Sequence, residues 1–321
     1  MDNALYFPFI SVPETPWFTR ILLYWDQVGS IIPFEFVEEP ERLSGYTRDL
    51  LTDELLTQIH PGQYLWRAPR FKDAFVDFVD SLPERELRRR REAFLGRATS
   101  RIHTEKMQYI AEYLIDAHLA EEVNQSWCDV ETATAGEFMV YLAALLGKLE
   151  AVESTPVTDH PVHFVPFLQA SQSATRVEAQ LAPLRTLVLD KLLPVPERSV
   201  PVLKLRSFKN KHGDRLRRFR HAIEQEISNI ADMTDPGLQA HRLENFIAEK
   251  ADEVEEIAAH LSEGGLGNST LSKVSAIVSA IPGVPALVGL AGAVYSAFSG
   301  GTEKPRNGAF LYAAYVQTEL G

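Results

Sequence analysis

Apolar residues recur every three or four positions along two long stretches of the chain. Leu216, Phe219, Ile223, Ile227 and Ile230 make one set, and Leu243, Ile247, Val254, Ile257 and Leu261 the other. That period puts each set on one face of a helix. Between them, Asp235-Pro236-Gly237 reads as a helix start. The aspartate can accept from unpaired first-turn N–H groups, and proline has no N–H to leave unpaired at the first helical position. Both stripes need burial and each is the other's nearest partner, so Gly213 to Leu261 is predicted to be an antiparallel helix pair.

Residues 1–200 follow another pattern, in which short apolar runs alternate with helical periodicity. Ala4 to Ile10 is unbroken apolar sequence and suits a strand buried on both faces, although Pro8 cannot donate to a sheet ladder. Thr15-Pro16 starts a helix that carries Trp17, Ile21, Leu22 and Trp25, and Ile31 to Phe36 reads as the next strand, completing a βαβ unit. Thr47 to Ile59, Phe71 to Val79, Glu84 to Arg97 and Met107 to His118 read as helices. Gln63 to Arg67, Thr99 to His103, Trp127 to Val130 and Leu184 to Leu193 read as strands. Thr134 and Glu137 have capping-box spacing ahead of Phe138 to Leu146, a helix apolar nearly all round. This alternation predicts an α/β domain, a mainly parallel sheet covered by helices and either open or barrel-like. The prolines of 194–201 mark its end, so an all-α helical domain is expected over 201–321.

That second domain holds the chain's most unusual composition, Leu271 to Phe298, with Lys273 as its one charge. Pro282-Gly283-Val284-Pro285 divides it into segments shorter than the ~20 residues that span a bilayer. A buried helical hairpin is therefore expected. Its small residues Gly289, Ala291, Gly292 and Ala293 also suit close helix contact in a membrane, so insertion on triggered release is the alternative.

Charge and cysteine content narrow the picture. The formal net charge of −12 opposes indiscriminate binding to nucleic acid or anionic lipid. The single cysteine, Cys128, permits neither an intrachain disulfide nor a cysteine-based zinc site, which fits a reducing compartment. The acidic start lacks the features of a signal peptide, so a cytoplasmic location is expected. Phosphate-loop, dinucleotide-fold and nucleophile-elbow signatures are missing, and neither a cofactor nor a metal is expected.

Three constellations carry candidate chemistry. His103-Thr104-Glu105-Lys106 sits where a strand hands over to a helix, the position at which α/β sheets gather ligands. With Asp159, His103 and Glu105 make a candidate catalytic set for a hydrolase or nuclease; the plainer reading is a polar strand end and helix cap. Asp159, His160 and His163 collect metal-ligating types, but three-residue spacing on extended chain turns the two rings to opposite sides. Lys209, Lys211, Arg215 and Arg218 belong to a basic run that can neutralise phosphates, while the partner helix's glutamates offer intrachain pairing instead. Arg88 to Arg91 is a second basic cluster.

Leu5-Tyr6-Phe7-Pro8-Phe9-Ile10, Trp17, Leu23-Tyr24-Trp25-Asp26, Ile32-Pro33, Pro156 to Asp159 and Leu193 to Pro196 together resemble a bacterial protein family of unknown function. The resemblance implies a gene carried beside mobile or phage-defence genes and brings no catalytic residues. The leading expectation is a cytoplasmic bacterial protein that acts through a protein partner, as a phage-defence component. A His/Glu/Asp hydrolase or nuclease and a membrane-active effector are the alternatives.

Overall fold

The computed structural model describes residues 2–68, 70–159, 173–263 and 308–321. They divide into two compact units, one comprising Met1–Ala182 with Arg198–Lys209, the other Pro183–Glu197 with Asn210–Gly321. His160, His163 and the Leu271 to Phe298 segment lie outside the described residues.

In the first unit the elements run β1 (Asn3–Tyr6), α1 (Pro16–Tyr24), β2 (Gln27–Ile31), α2 (Glu35–Glu38), α3 (Gly45–Thr52), β3 (Leu56–Ile59), α4 (Pro61–Tyr64), α5 (Phe71–Asp80), α6 (Glu84–Leu95), β4 (Thr99–His103), α7 (Thr104–Met107), α8 (Ile110–Asp116), β5 (Ala120–Asn124), β6 (Trp127–Glu131), α9 (Thr132–Lys148) and β7 (Ser154–Val157). Among the described residues, β3-β2-β1-β7 form a parallel sheet with helices around it, and the C-terminal region is mostly helical, as the pattern predicts. The sheet is open. A second, antiparallel sheet, β4-β6-β5, was not foreseen.

Alternation along the parallel strands explains how the sheet is covered. Leu5, Phe7, Ile31 and Ile59 enter a core with Phe75, Ile110, Leu114, Phe138 and Leu142. Tyr6 points the other way and meets Phe18 of α1 edge-on, with ring centroids 5.5 Å apart. Thr15 caps α1 through its Oγ1, which accepts from Phe18 N–H at 3.3 Å, and Pro16 opens the helix. The second strand lies earlier than Ile31 to Phe36, because Gln27–Ile31 pairs with β1 in parallel register. The Thr47 to Ile59 stretch divides into α3 and β3 at Glu54, whose φ of 58° ends the helix. Gln63 to Arg67 is helical turn, not strand.

Helix α9 is buried on nearly every side and packs against both sheets. Its cap is Glu131, whose carboxylate accepts from Ala133 N–H at 3.0 Å and Thr134 N–H at 2.8 Å. Thr134 and Glu137 therefore do not form a capping box. They face Arg90 of α6, which makes a bidentate pair with Glu137 at 2.6 and 2.9 Å, reaches Thr134 Oγ1 at 3.2 Å and bonds Glu86 at 3.0 Å. Burial alone would lower the Arg90 pKa, but these carboxylates outweigh it and hold the guanidinium firmly charged. At the other end of α9, a Cβ on Gly147 would run into the carbonyl oxygen of Ser154, so only glycine lets β7 lie this close.

The second unit contains the helix pair. After α10 (Ser173–Leu192), which replaces the strand expected over Leu184 to Leu193, come α11 (Val202–Ala231) and α12 (Pro236–Glu263). Leu216, Phe219, Ile223, Ile227 and Ile230 are all buried. On α12 the core positions are Leu243, Phe246, Val254 and Ile257; Ile247 is only half-buried. Asp235 Oδ1 caps α12, accepting from Gly237 N–H at 2.7 Å and Leu238 N–H at 3.1 Å. Arg242 bonds Glu226 across the pair at 2.6 Å, and α13 (Leu311–Tyr315) adds Phe310 against Phe219 and Phe246.

Arg90→Met or Glu137→Leu alone leaves an uncompensated buried charge and is expected to cost about 3–5 kcal/mol, whereas the double substitution recovers most of that loss. Urea unfolding followed by tryptophan fluorescence measures this. Trp17, Trp25, Trp66 and Trp127 all lie in the first unit. Single variants that lose less than about 1 kcal/mol would show the pair to be dispensable.

Candidate functional site

The order β3-β2-β1-β7 reverses at β1, since the chain steps from β1 to β2 and β3 on one side and returns to add β7 on the other. Neighbouring strands whose connections leave in opposite directions open a crevice at their carboxyl ends. A cavity of 540 Å³ occupies that place. Phe7 to Ser11 after β1 and Thr158 after β7 line it, with Ile102, His103, Lys106 and Trp127 from β4, α7 and β6, and Ala135, Gly136 and Met139 from α9. The walls are mainly apolar and the volume suits a small molecule.

Of the three residues proposed as a catalytic set, His103 lines this cavity, while Glu105 and Asp159 are not among its lining residues. His103 ends β4, and its Nδ1 accepts from the Glu105 backbone N–H at 3.1 Å, which caps the short helix α7. Glu105 uses its carboxylate for the fold, accepting from Phe34 N–H at 2.6 Å. Asp159 lies one residue beyond the cavity-lining Thr158, and its charge acts on the buried Tyr6 hydroxyl, whose pKa burial first of all and then this carboxylate raise. The carboxylate 3.1 Å from His103 Nε2 belongs to Glu35, at the start of α2. Both atoms are shut off from solvent and meet away from hydrogen-bond direction, so the contact is electrostatic. Burial raises the Glu35 pKa, but His103, the Ser126 hydroxyl at 3.1 Å and Arg42 at 3.1 Å together hold it below the usual range.

This geometry restricts the chemistry. Ser126 bonds Glu35 and not His103, so no serine–imidazole nucleophile pair is assembled around it. Because Nδ1 accepts a backbone N–H, the neutral ring carries its proton on Nε2, facing Glu35. A metal at Nε2 would require the opposite tautomer. Among the described residues no group of three or more His, Cys, Asp or Glu side chains is placed to hold a metal.

Lys106 is the most perturbed group of the cavity. It is 2% exposed, and Nζ donates to the Pro8 carbonyl at 3.3 Å. Burial drives its pKa down to about 7, against a smaller opposing effect of Glu105. The turn that follows is strained, since Gln108 adopts φ 47° and ψ −131°, a region that side chains other than glycine avoid. The sequence assigns no role to Lys106 within the His103 to Lys106 stretch, and none to Glu35. Lys106 looks like a solvated helix residue beside Glu105, and Glu35 approaches His103 only through the fold. The one available signal was a lysine beside Met107 in a turn that begins an apolar helix.

The predicted nucleic-acid residues have intrachain partners. Lys209 donates to the carbonyls of Trp25 and Asp26 at 2.9 and 3.0 Å, capping the end of α1. In the second unit, Lys211 pairs with Glu319 at 2.9 Å, Arg215 lies 5.1 Å from the centre of the Tyr315 ring, and Arg218 donates to the Asp214 carbonyl at 3.4 Å. In the other basic cluster, Arg90 is buried and Arg91 bonds the Ala117 carbonyl at 3.0 Å. No helix among the described residues is long and apolar enough to cross a membrane. In comparisons with known proteins, the chain matches no protein-family model, no curated protein and no solved structure.

Two outcomes follow from the site. Long-range nitrogen–proton correlation spectra should show His103 as the Nε2–H tautomer, and an Nδ1–H signal would reverse the assignment of its partners. The second concerns Lys106. An unfolded chain keeps the ordinary lysine pKa, so between pH 7 and about 10 it binds a proton that the folded state does not. Stability relative to Lys106→Met should therefore rise with pH across that window, by at most about 1.4 kcal/mol per unit. A difference that stays flat in urea titrations over this range would mean that the amine titrates as if solvated.

Proposed function

We propose that the first unit binds a small molecule, apolar over most of its surface with one polar head, in the cavity at the carboxyl ends of β1 and β7. The observation that carries this reading is the buried Lys106 amine in the wall of a cavity that lies where the strand order reverses. Trp127 supplies an aromatic wall beside it, and the Pro8 carbonyl accepts from the amine at 3.3 Å. The protein is read as cytoplasmic, and the enzyme class is favoured over a purely structural one because a desolvated amine is a reactive group.

Contact with a protein partner, with a role in phage defence, is the second reading. Its support is a set of exposed aromatic side chains: Phe9 after β1, Phe34 after β2, Trp66 after α4 and Tyr109 after α7, between 49% and 71% exposed. Aromatic side chains of this kind concentrate binding energy at interfaces.

The cavity reading is tested by titrating a panel of small carboxylic acids and their 2-oxo counterparts while following Trp127 fluorescence. At least one should bind, and Ala135→Leu, which narrows the cavity, should weaken it by ten-fold or more while the unfolding transition is kept. Binding that ignores Ala135→Leu places the ligand elsewhere. For the partner reading, a protein captured by the wild type should be lost on both Phe34→Ala and Trp66→Ala, neither of which touches the Lys106 amine.

A further inference from the structure

We infer that the Lys106 amine is a nucleophile that forms an imine with a small carbonyl compound, an aldehyde or a 2-oxo acid, held in the cavity at the β1/β7 crevice. The inference rests on the proposal that this cavity takes a small molecule and adds the reaction.

Three observations converge on it. The hydrogen-bond partner of Nζ is a carbonyl oxygen, that of Pro8 at 3.3 Å, and no carboxylate of the described residues forms an ion pair with it. A carboxylate would hold the amine protonated, whereas a carbonyl accepts equally well from a neutral amine, which keeps its lone pair. The residue is almost wholly buried and its side chain borders 540 Å³ of space walled by Phe7, Ile102, Trp127 and Met139. A desolvated lysine in an apolar pocket is the arrangement in which the amine is unprotonated and reactive near neutral pH.

The step balances without a further reagent. The nitrogen lone pair attacks the carbonyl carbon and forms the C–N bond, the C–O bond breaks, and both amine protons leave with the oxygen as water. The carbon becomes C=N and nothing is oxidised or reduced.

The test uses the full chain, incubated at pH 7 with glyoxylate, pyruvate or benzaldehyde and sodium cyanoborohydride, then digested and mapped by mass spectrometry. Expected is a reduced adduct on Lys106, formed at least ten-fold faster than on any other lysine, absent from Lys106→Met, and with a rate that rises through pH 7 and then levels. Site mapping on the wild type keeps the result independent of how the variant folds. Labelling spread over other lysines with Lys106 unmodified overturns the imine. If the same compounds quench Trp127 in an Ala135-dependent way yet give no adduct, the cavity stands and the nucleophile falls. If they neither bind nor react, both fall.

Discussion

The burial of α9 between two sheets is the constraint from which the rest of the first unit follows. A helix apolar on nearly all sides can be covered only from several directions at once. The parallel sheet supplies one wall, the β4-β6-β5 sheet another, and α6 a third. Each contact sets a distance. Gly147 fixes how near β7 comes, Glu131 ties the helix start to the end of β6, and Arg90 bonds Glu137 in the second turn. A helix clamped this way cannot move to fill space beside it. The cavity remains along its first turns, where Ala135, Gly136 and Met139 face the crevice left by the reversal of strand order. Rigid surroundings with small residues at one place leave a void, which the segments after β1 and β7 close on the other side.

Much of this architecture was legible in the sequence where a single period ran for many residues. The helix pair of the second unit is the clearest case, since a 3.6-residue stripe over several turns plus an aspartate cap leaves little choice. Phe246 takes the place of Ile247 because a period alone does not rank two adjacent apolar residues, and Leu261 near the helix end is only partly buried. Short elements were harder to read. The strand β5, Ala-Glu-Glu-Val-Asn, pairs with β6 on an exposed sheet edge and carries almost no apolar signal. The stretch Leu184 to Leu193 is equally apolar as strand or helix, and Pro183 inside α10 disguised the helix.

The site was half visible for a similar reason. His103 and Glu105 declare themselves through local chemistry at a strand–helix junction, a one-dimensional feature. Glu35 does not, because it meets His103 through the stacking of α2 on the end of β4, across 68 residues of chain. Asp159, grouped with His103 and Glu105 as a candidate set, lies one residue beyond the cavity-lining Thr158, and the carboxylate beside the imidazole is that of Glu35. The basic run shows the converse. Counting cations along α11 ignores where each side chain ends, and Lys209, Lys211 and Arg218 end on carbonyls and a carboxylate of their own chain.

Energetics bear on whether Lys106 can be only a structural residue. Burying an ammonium costs several kcal/mol unless an opposite charge and good hydrogen bonds offset it. Arg90 shows what such an offset looks like here, with a bidentate carboxylate, a second carboxylate and a hydroxyl. Lys106 has a single hydrogen bond of 3.3 Å and the field of Glu105. The methylene stem of a methionine would cover the same apolar wall at no electrostatic cost. Gln108 adds backbone strain of order 1–3 kcal/mol two residues further on, where a glycine would remove it. Two unfavourable choices in one turn, each with a cheaper substitute, mark that turn as shaped by something other than stability, and the cavity it borders is where that requirement would be met.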